Sequence, residues 1–142
     1  MSYLVDVNVW IALAVEGHMH HEPARHWFDA TEEDKSFFCR TTQQGLFRLL
    51  TNSTVMRGNV LTSAQAWNVY EAFLSDSRVG FADEPPGLED VWRVETRGRK
   101  TGPNFWTDSY LGAFASVGGY MIVTFDRAFQ SMRGVASHIL RS

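Results

Sequence analysis

Three aspartates, Asp6, Asp108 and Asp126, occupy positions from which carboxylates far apart in the chain can meet. Asp6 follows the apolar run Tyr3-Leu4-Val5, and Asp126 follows the apolar stretch 120–125. Short apolar runs of this kind are too brief for helices and read as buried parallel strands. Asp108 falls in the first turn of a helical stretch that leads into the second of these strands. Taken singly, each acid has a plain structural account: two strand ends, and an anion favoured at a helix N-terminus. Taken together, three carboxylates within a few ångströms repel one another and resist ionisation unless a cation stands among them. Oxygen-only ligands select hard ions, so the metal expected on Asp6, Asp108 and Asp126 is Mg2+ or Mn2+. Such an ion activates a water, orients a scissile phosphate and stabilises the leaving oxygen.

The elements that must carry these acids follow from periodicity and caps. Residues 9–15 read as a helix stopped by Gly17, and 21–30 as a second, with Pro23 tolerated in its first turn. A strand at 37–39 is followed by a helix over 42–50. Thr62 and Gln65 have capping-box spacing, and Ala66, Trp67, Val69, Tyr70, Phe73 and Leu74 then keep helical period. Residues 79–82 read as a strand, and Pro85-Pro86-Gly87 introduces a helix carrying Leu88, Val91 and Trp92. Thr107 is the expected cap of a helix running through Val117 and ended by Gly118 and Gly119. Strands alternating with helices imply βαβ units, hence an α/β fold with a central, mostly parallel sheet of four to five strands and helices on both faces. In such sheets the functional crevice lies outside the carboxyl ends of the strands, where Asp6 and Asp126 stand.

Composition bounds the partners. A length of 142 residues suits one domain over 1–142, and 44% apolar with 20% charged residues is ordinary for a globular chain. The apolar run 9–15 is too short to span a bilayer and no basic stretch precedes it, so a cytoplasmic protein is expected. The single cysteine, Cys39, lies in an apolar run and reads as a buried thiol. A net charge of −3 argues against binding nucleic acid over the whole surface, so any RNA contact must be local. The local basic excess is Arg93, Arg97, Arg99 and Lys100, followed by Gly102, Pro103, Asn104, Phe105 and Trp106; cations beside aromatics suit single-stranded RNA. The plainer reading is that Arg93 and Arg97 decorate a helix C-terminus. Trp67 and Trp92 are expected in the core. His18, His20, His21 and His26 approach metal-ligand spacing, but no cysteine or acid completes a zinc pattern, so surface or packing roles are expected.

Three segments resemble the PIN-domain ribonucleases, and among them the VapC-type toxins of bacterial toxin–antitoxin pairs. Tyr3-Leu4-Val5-Asp6-Val7-Asn8 looks like the family's opening strand, Trp106-Thr107-Asp108-Ser109-Tyr110-Leu111 like its later acid-bearing helix, and Val123-Thr124-Phe125-Asp126-Arg127 like its final strand motif. The resemblance runs from residue 3 to about residue 129. It implies a three-layer α/β/α sandwich and a toxin that hydrolyses RNA phosphodiester bonds with Mg2+ or Mn2+, leaving 5′-phosphate and 3′-hydroxyl ends. It assigns Asn8 to hold Asp6 or a water, and Thr124 to supply a supporting hydroxyl. It also implies structured RNA such as tRNA as substrate, a homodimer, and a VapB-like antitoxin in a toxin–antitoxin hetero-oligomer. The antitoxin tail is expected as a helix in an apolar groove near residues 9–15 and 24–28, with an arginine against the aspartates.

One position departs from the family. A glutamate is usual on the helix after the second strand, whereas Arg40-Thr41-Thr42-Gln43-Gln44-Gly45 offers only glutamines. Gln43 shares a helical stripe with Leu46, Phe47 and Leu50 and is the candidate for the vacated position. Two other readings remain. One is a decayed PIN-like module that binds RNA or antitoxin without cutting. The other is a metal-dependent phosphatase, which normally needs a second acid where Asn8 stands.

Overall fold

In the computed structural model, which describes residues 1–142, the apolar runs become five short strands of one sheet. They are β1 (Ser2–Val5), β2 (Lys35–Phe38), β3 (Val79–Phe81), β4 (Met121–Thr124) and β5 (Ser137–Ile139). The order across the sheet is β3-β2-β1-β4-β5 and every pairing is parallel. Leu4 lies beside Ile122 and Val5 beside Val123. Because successive side chains point to opposite faces, these pairs feed two different layers, and both faces need covering.

The helices are α1 (Val7–Ala14), α2 (His21–Asp29), α3 (Arg40–Leu50), α4 (Ser63–Leu74), α5 (Leu88–Thr96) and α6 (Phe105–Gly118), with a 3-10 turn at Arg127–Ser131. Val5 and Val123 join the core built with α1 to α4, where Trp10 stacks flat on Phe38 at 3.9 Å. Leu4 and Ile122 join the second core, with Leu88, Leu111, Phe114 and Phe129 from α5, α6 and the 3-10 turn. The result is the expected α/β/α sandwich. No helix is long and apolar enough to cross a membrane.

Local chemistry sets the boundaries. Thr62 Oγ1 accepts from the Gln65 N–H at 3.2 Å while Gln65 Oε1 accepts from the Thr62 N–H at 2.9 Å, the reciprocal cap its spacing predicts. Helix α6 begins two residues before the expected cap, so Thr107 lies inside it and Asn104 stands at the N-cap. It ends at Gly119, whose φ of 76° suits a residue without Cβ. Cys39 is buried. Its N–H donates to Thr42 Oγ1 at 3.0 Å at the start of α3. The 3-10 turn and β5 went unforeseen, because β5 is only three residues long.

Two further expectations change. Trp67 is 48% exposed, since α4 is an outer helix that buries only Ala66 and Tyr70; the indole leans on Phe47 at the rim. Trp92 is half-buried, its Nε1–H donating to Ser109 Oγ at 2.9 Å. Val9 to Leu13, Ala24, Trp27 and Phe28 are buried in the core rather than presented as an apolar surface. The open apolar surface near α2 is instead a cleft against the last strand, walled by Pro23, Trp27, Ala30, Ile139 and Leu140.

Candidate active site

From β1 the chain winds outward through β2 and β3 on one side, and the remaining strands β4 and β5 lie on the other. The winding direction reverses between β1 and β4, and the crevice of such a sheet opens there, at the strands' carboxyl ends. The residues that follow these two strands are Asp6 and Phe125-Asp126.

Asp6 is 7% exposed and turns β1 directly into α1. Its backbone is extended, and its Oδ1 accepts from the Val7 N–H at 2.7 Å, capping the helix. The other oxygen, Oδ2, accepts from Thr124 Oγ1 at 2.8 Å. The direction of that bond is fixed by its neighbours. Asn8 Oδ1 accepts from the Phe125 N–H at 3.2 Å, which turns Asn8 Nδ2 toward Thr124 Oγ1, also at 3.2 Å. The Asp126 N–H donates to the same hydroxyl at 3.0 Å. With both lone pairs taken, the single Thr124 proton goes to Asp6. Asn8 and Thr124, both picked out from sequence, therefore act on the carboxylate as one connected unit.

Charge and burial act together on the cluster. Burial raises the Asp6 pKa; the Thr124 and Val7 bonds pull it back, and the Asp126 charge raises it further. Asp108, in the first turn of α6, is pushed up to about 6 by burial, then by the charges of Asp6 and Asp126. Its carboxylate accepts no hydrogen bond, whereas Asp126 Oδ1 accepts from the Ala128 N–H at 2.9 Å. Burial and neighbouring carboxylates, with no cationic side chain, set the shifts of Asp6 and Asp108, and such a cluster fits a hard divalent ion. No three acidic, histidine or cysteine side chains stand close enough to make a finished ligand shell. Asp108, with no hydrogen bond to hold it, is the carboxylate free to turn.

Gln43 is buried and Gln44 exposed, as the helical stripe requires. Gln43 Oε1, however, accepts from Arg40 Nη1 at 2.6 Å, and that guanidinium lies over Phe81 at 4.6 Å. Its amide oxygen is thus engaged by Arg40, and Gln43 makes no hydrogen bond to the aspartates.

The basic segment divides. Arg93 pairs with Glu89 at 3.0 Å across one exposed turn of α5, the plain helix-surface role. Arg97 caps the end of α5 and Lys100 is exposed in the loop beyond. Arg99 borders a cleft that Asp108 also borders. Trp106 is 56% exposed, edge-on to Trp92 at 6.0 Å. Phe105, an aromatic of the segment after the basic run, lines the same cleft, as does Arg133, which sequence reading missed. Phe105, Asp108, Ser109, Gly112 and Ser116 recur at helical spacing along α6, and that pattern was the available signal. The histidines brace the α1–α2 connection: His21 Nδ1 meets the Ala12 carbonyl oxygen at 2.8 Å, and the His20 ring stacks on Phe125 at 4.5 Å.

Known proteins share both the sequence pattern and the fold. The family model described as the PIN domain matches residues 3–135. The chain is 44% identical to ribonuclease VapC41 of Mycobacterium tuberculosis over 96% of this chain and 97% of that one. It is 32% identical to ribonuclease VapC38 of the same organism, over 87% and 84%. Among solved structures, VapBC2 from Rickettsia felis bound to a promoter DNA fragment superposes with a TM-score of 0.72 at 14% identity, covering 99% of this chain and 100% of that one. With a strand-end aspartate pair, a helix-borne third acid and these relatives, the chain belongs to the PIN-domain family.

Proposed function

We propose that this protein is the toxin of a type II toxin–antitoxin pair, a divalent-metal-dependent ribonuclease formed by a single nuclease domain over residues 1–142. The observation that carries the reading is Asp108, a carboxylate pushed up to about 6 and accepting no hydrogen bond, beside Asp6 and Asp126 at the sheet's switch point. Membership of the PIN family and 44% identity to a ribonuclease support RNA as the substrate class. Asp6, Asp108 and Asp126 are the proposed ligands of Mg2+ or Mn2+, which when bound supplies an activated water and stabilises the leaving oxygen.

The chain's own residues do the rest. Thr124 and the Val7 N–H favour the ionised form of Asp6, and Asn8 aims the Thr124 proton. Asp126 is fixed by the turn it caps. Asp108 is left free to reach the ion. RNA contact falls to Arg99 in the cleft, with the exposed Arg97, Lys100 and Trp106 of the same segment, while Arg93 is taken by Glu89. The proposed products carry 5′-phosphate and 3′-hydroxyl ends, and the proposed substrates are structured RNAs such as tRNA in the cytoplasm.

A VapB-like antitoxin is the proposed partner, since solved relatives of this fold are described as toxin–antitoxin complexes. An antitoxin arginine fits the carboxylate cluster through charge-assisted bonds. A homodimer within that hetero-oligomer is the proposed assembly. Asp6→Ala and Asp108→Ala test the reading together: each abolishes growth inhibition and Mn2+-dependent RNA cleavage while the fold persists. Cleavage undiminished in excess EDTA, or in both variants, rejects it.

A further inference from the structure

A cleft of about 230 Å³ opens beside Asp108, between α5, α6 and the segment after the 3-10 turn. At ~30 Å³ per liquid water this is room for about eight waters, the size of one planar base. Gly112 shapes it: a Cβ there would stand 3.1 Å from Met132 Sδ and 3.4 Å from Val135 Cγ2, so the glycine admits that segment against α6. Phe105, half-buried at the helix start, supplies an aromatic wall.

The charges point to a nucleic-acid occupant. Arg99 and Arg133 both border the cleft, and neither belongs to any of the ion pairs, which join Met1 to Asp34, Arg25 to Asp29, Arg78 to Asp76 and Arg93 to Glu89. Two guanidiniums outside every ion pair can each meet a backbone phosphate, while with Asp108 and Glu95 they leave the formal charge of the lining at zero. Besides Asp108 the lining holds one acid, Glu95, whose carboxylate oxygens can accept hydrogen bonds.

We propose that this cleft is a nucleobase pocket: it takes one base next to the scissile phosphate, with Phe105 as stacking wall, Arg99 and Arg133 on the flanking backbone, and Glu95 accepting from an exocyclic amine. The inference rests on the ribonuclease reading above. It makes adenine, cytosine or guanine preferred over uracil at one position, because uracil carries no amine.

The test uses the full chain and short single-stranded RNAs bearing A, C, G, U or an abasic site at each position around the cut. Binding is read by fluorescence anisotropy in EDTA, and cleavage in Mn2+. At one position adjacent to the cut, an amine-bearing base binds about tenfold tighter than the abasic RNA. Phe105→Leu brings that ratio toward one, Phe105→Tyr keeps it, and Glu95→Gln removes the preference over uracil. Arg133→Ala, a change at an exposed residue, weakens every RNA and lowers the salt slope by about 1. Equal binding of base-bearing and abasic RNAs at all positions overturns the pocket. So does a folded Phe105→Leu protein with the ratio intact, the outcome if the cleft serves the antitoxin instead. Wild-type protein that cleaves no RNA in Mn2+ rejects the ribonuclease reading separately, and the EDTA binding ratios still decide the pocket.

Discussion

Replacing Asp108 with asparagine removes a charge that the metal-free fold resists while keeping the side chain's shape. Burial and the charges of Asp6 and Asp126 raise Asp108 from 3.8 to about 6. At ~1.36 kcal/mol per pH unit this corresponds to about 3 kcal/mol of differential stability. The carboxylate is only half-buried, so solvent screening reduces the effect to about 1.5 kcal/mol. Loss of an anion in the first turn of α6 opposes it by roughly 0.5 kcal/mol, leaving about 1 kcal/mol. The sign follows from proton binding. Between pH 3.8 and about 6 the folded state holds more protons than the unfolded state, so wild-type stability falls as pH rises through that window. Asparagine does not titrate. In EDTA, Asp108→Asn is therefore expected to melt about 4 °C above wild type at pH 7.5 and to lose that advantage by pH 4. Melting curves across this range decide it, with Mn2+ at pH 7.5 restoring stability to wild type alone. An asparagine protein less stable than wild type at pH 7.5, or a gap independent of pH, would refute the argument that these carboxylates repel one another.

Thr124→Val removes the hydroxyl that donates to buried Asp6 and accepts from Asn8 and the Asp126 N–H; urea unfolding should show a loss of about 2–3 kcal/mol, with Thr124→Ser close to wild type. Gln43→Glu places its new carboxylate against Arg40, so Mn2+ affinity by calorimetry should rise only when Arg40→Ala is added. A rise in the single variant would put Gln43 among the metal ligands. Ser36 Oγ is buried without a partner, so Ser36→Ala should be neutral or stabilising by up to about 1 kcal/mol in thermal melts.

Asp6 and Asp126 were legible because parallel strands buried on both faces read as unbroken apolar runs, and the end of such a run marks the sheet's carboxyl edge. Asn8 and Thr124 were legible as residues; their shared proton geometry needed the register between β1 and β4. Trp67 was misplaced because helical period locates a face without saying how far the core extends beneath it. The cleft beside Asp108 escaped notice for a different reason. One of its walls is the irregular segment of Met132, Arg133 and Val135, which carries neither the period of two nor that of 3.6. Arg93 was read two ways from sequence, and its Glu89 pairing depends only on i,i+4 spacing.

The contact between Thr124 and Asp6 spans 118 residues, and β1 lies between β2 and β4. During synthesis the Asp6 carboxylate therefore waits for its partner strand. At roughly 5–20 residues per second, that gap lasts roughly 6 to 24 s. A chain whose synthesis stops before β4 carries Asp6 without the Thr124 hydroxyl and without Asp126, so the aspartate cluster is incomplete in every such fragment.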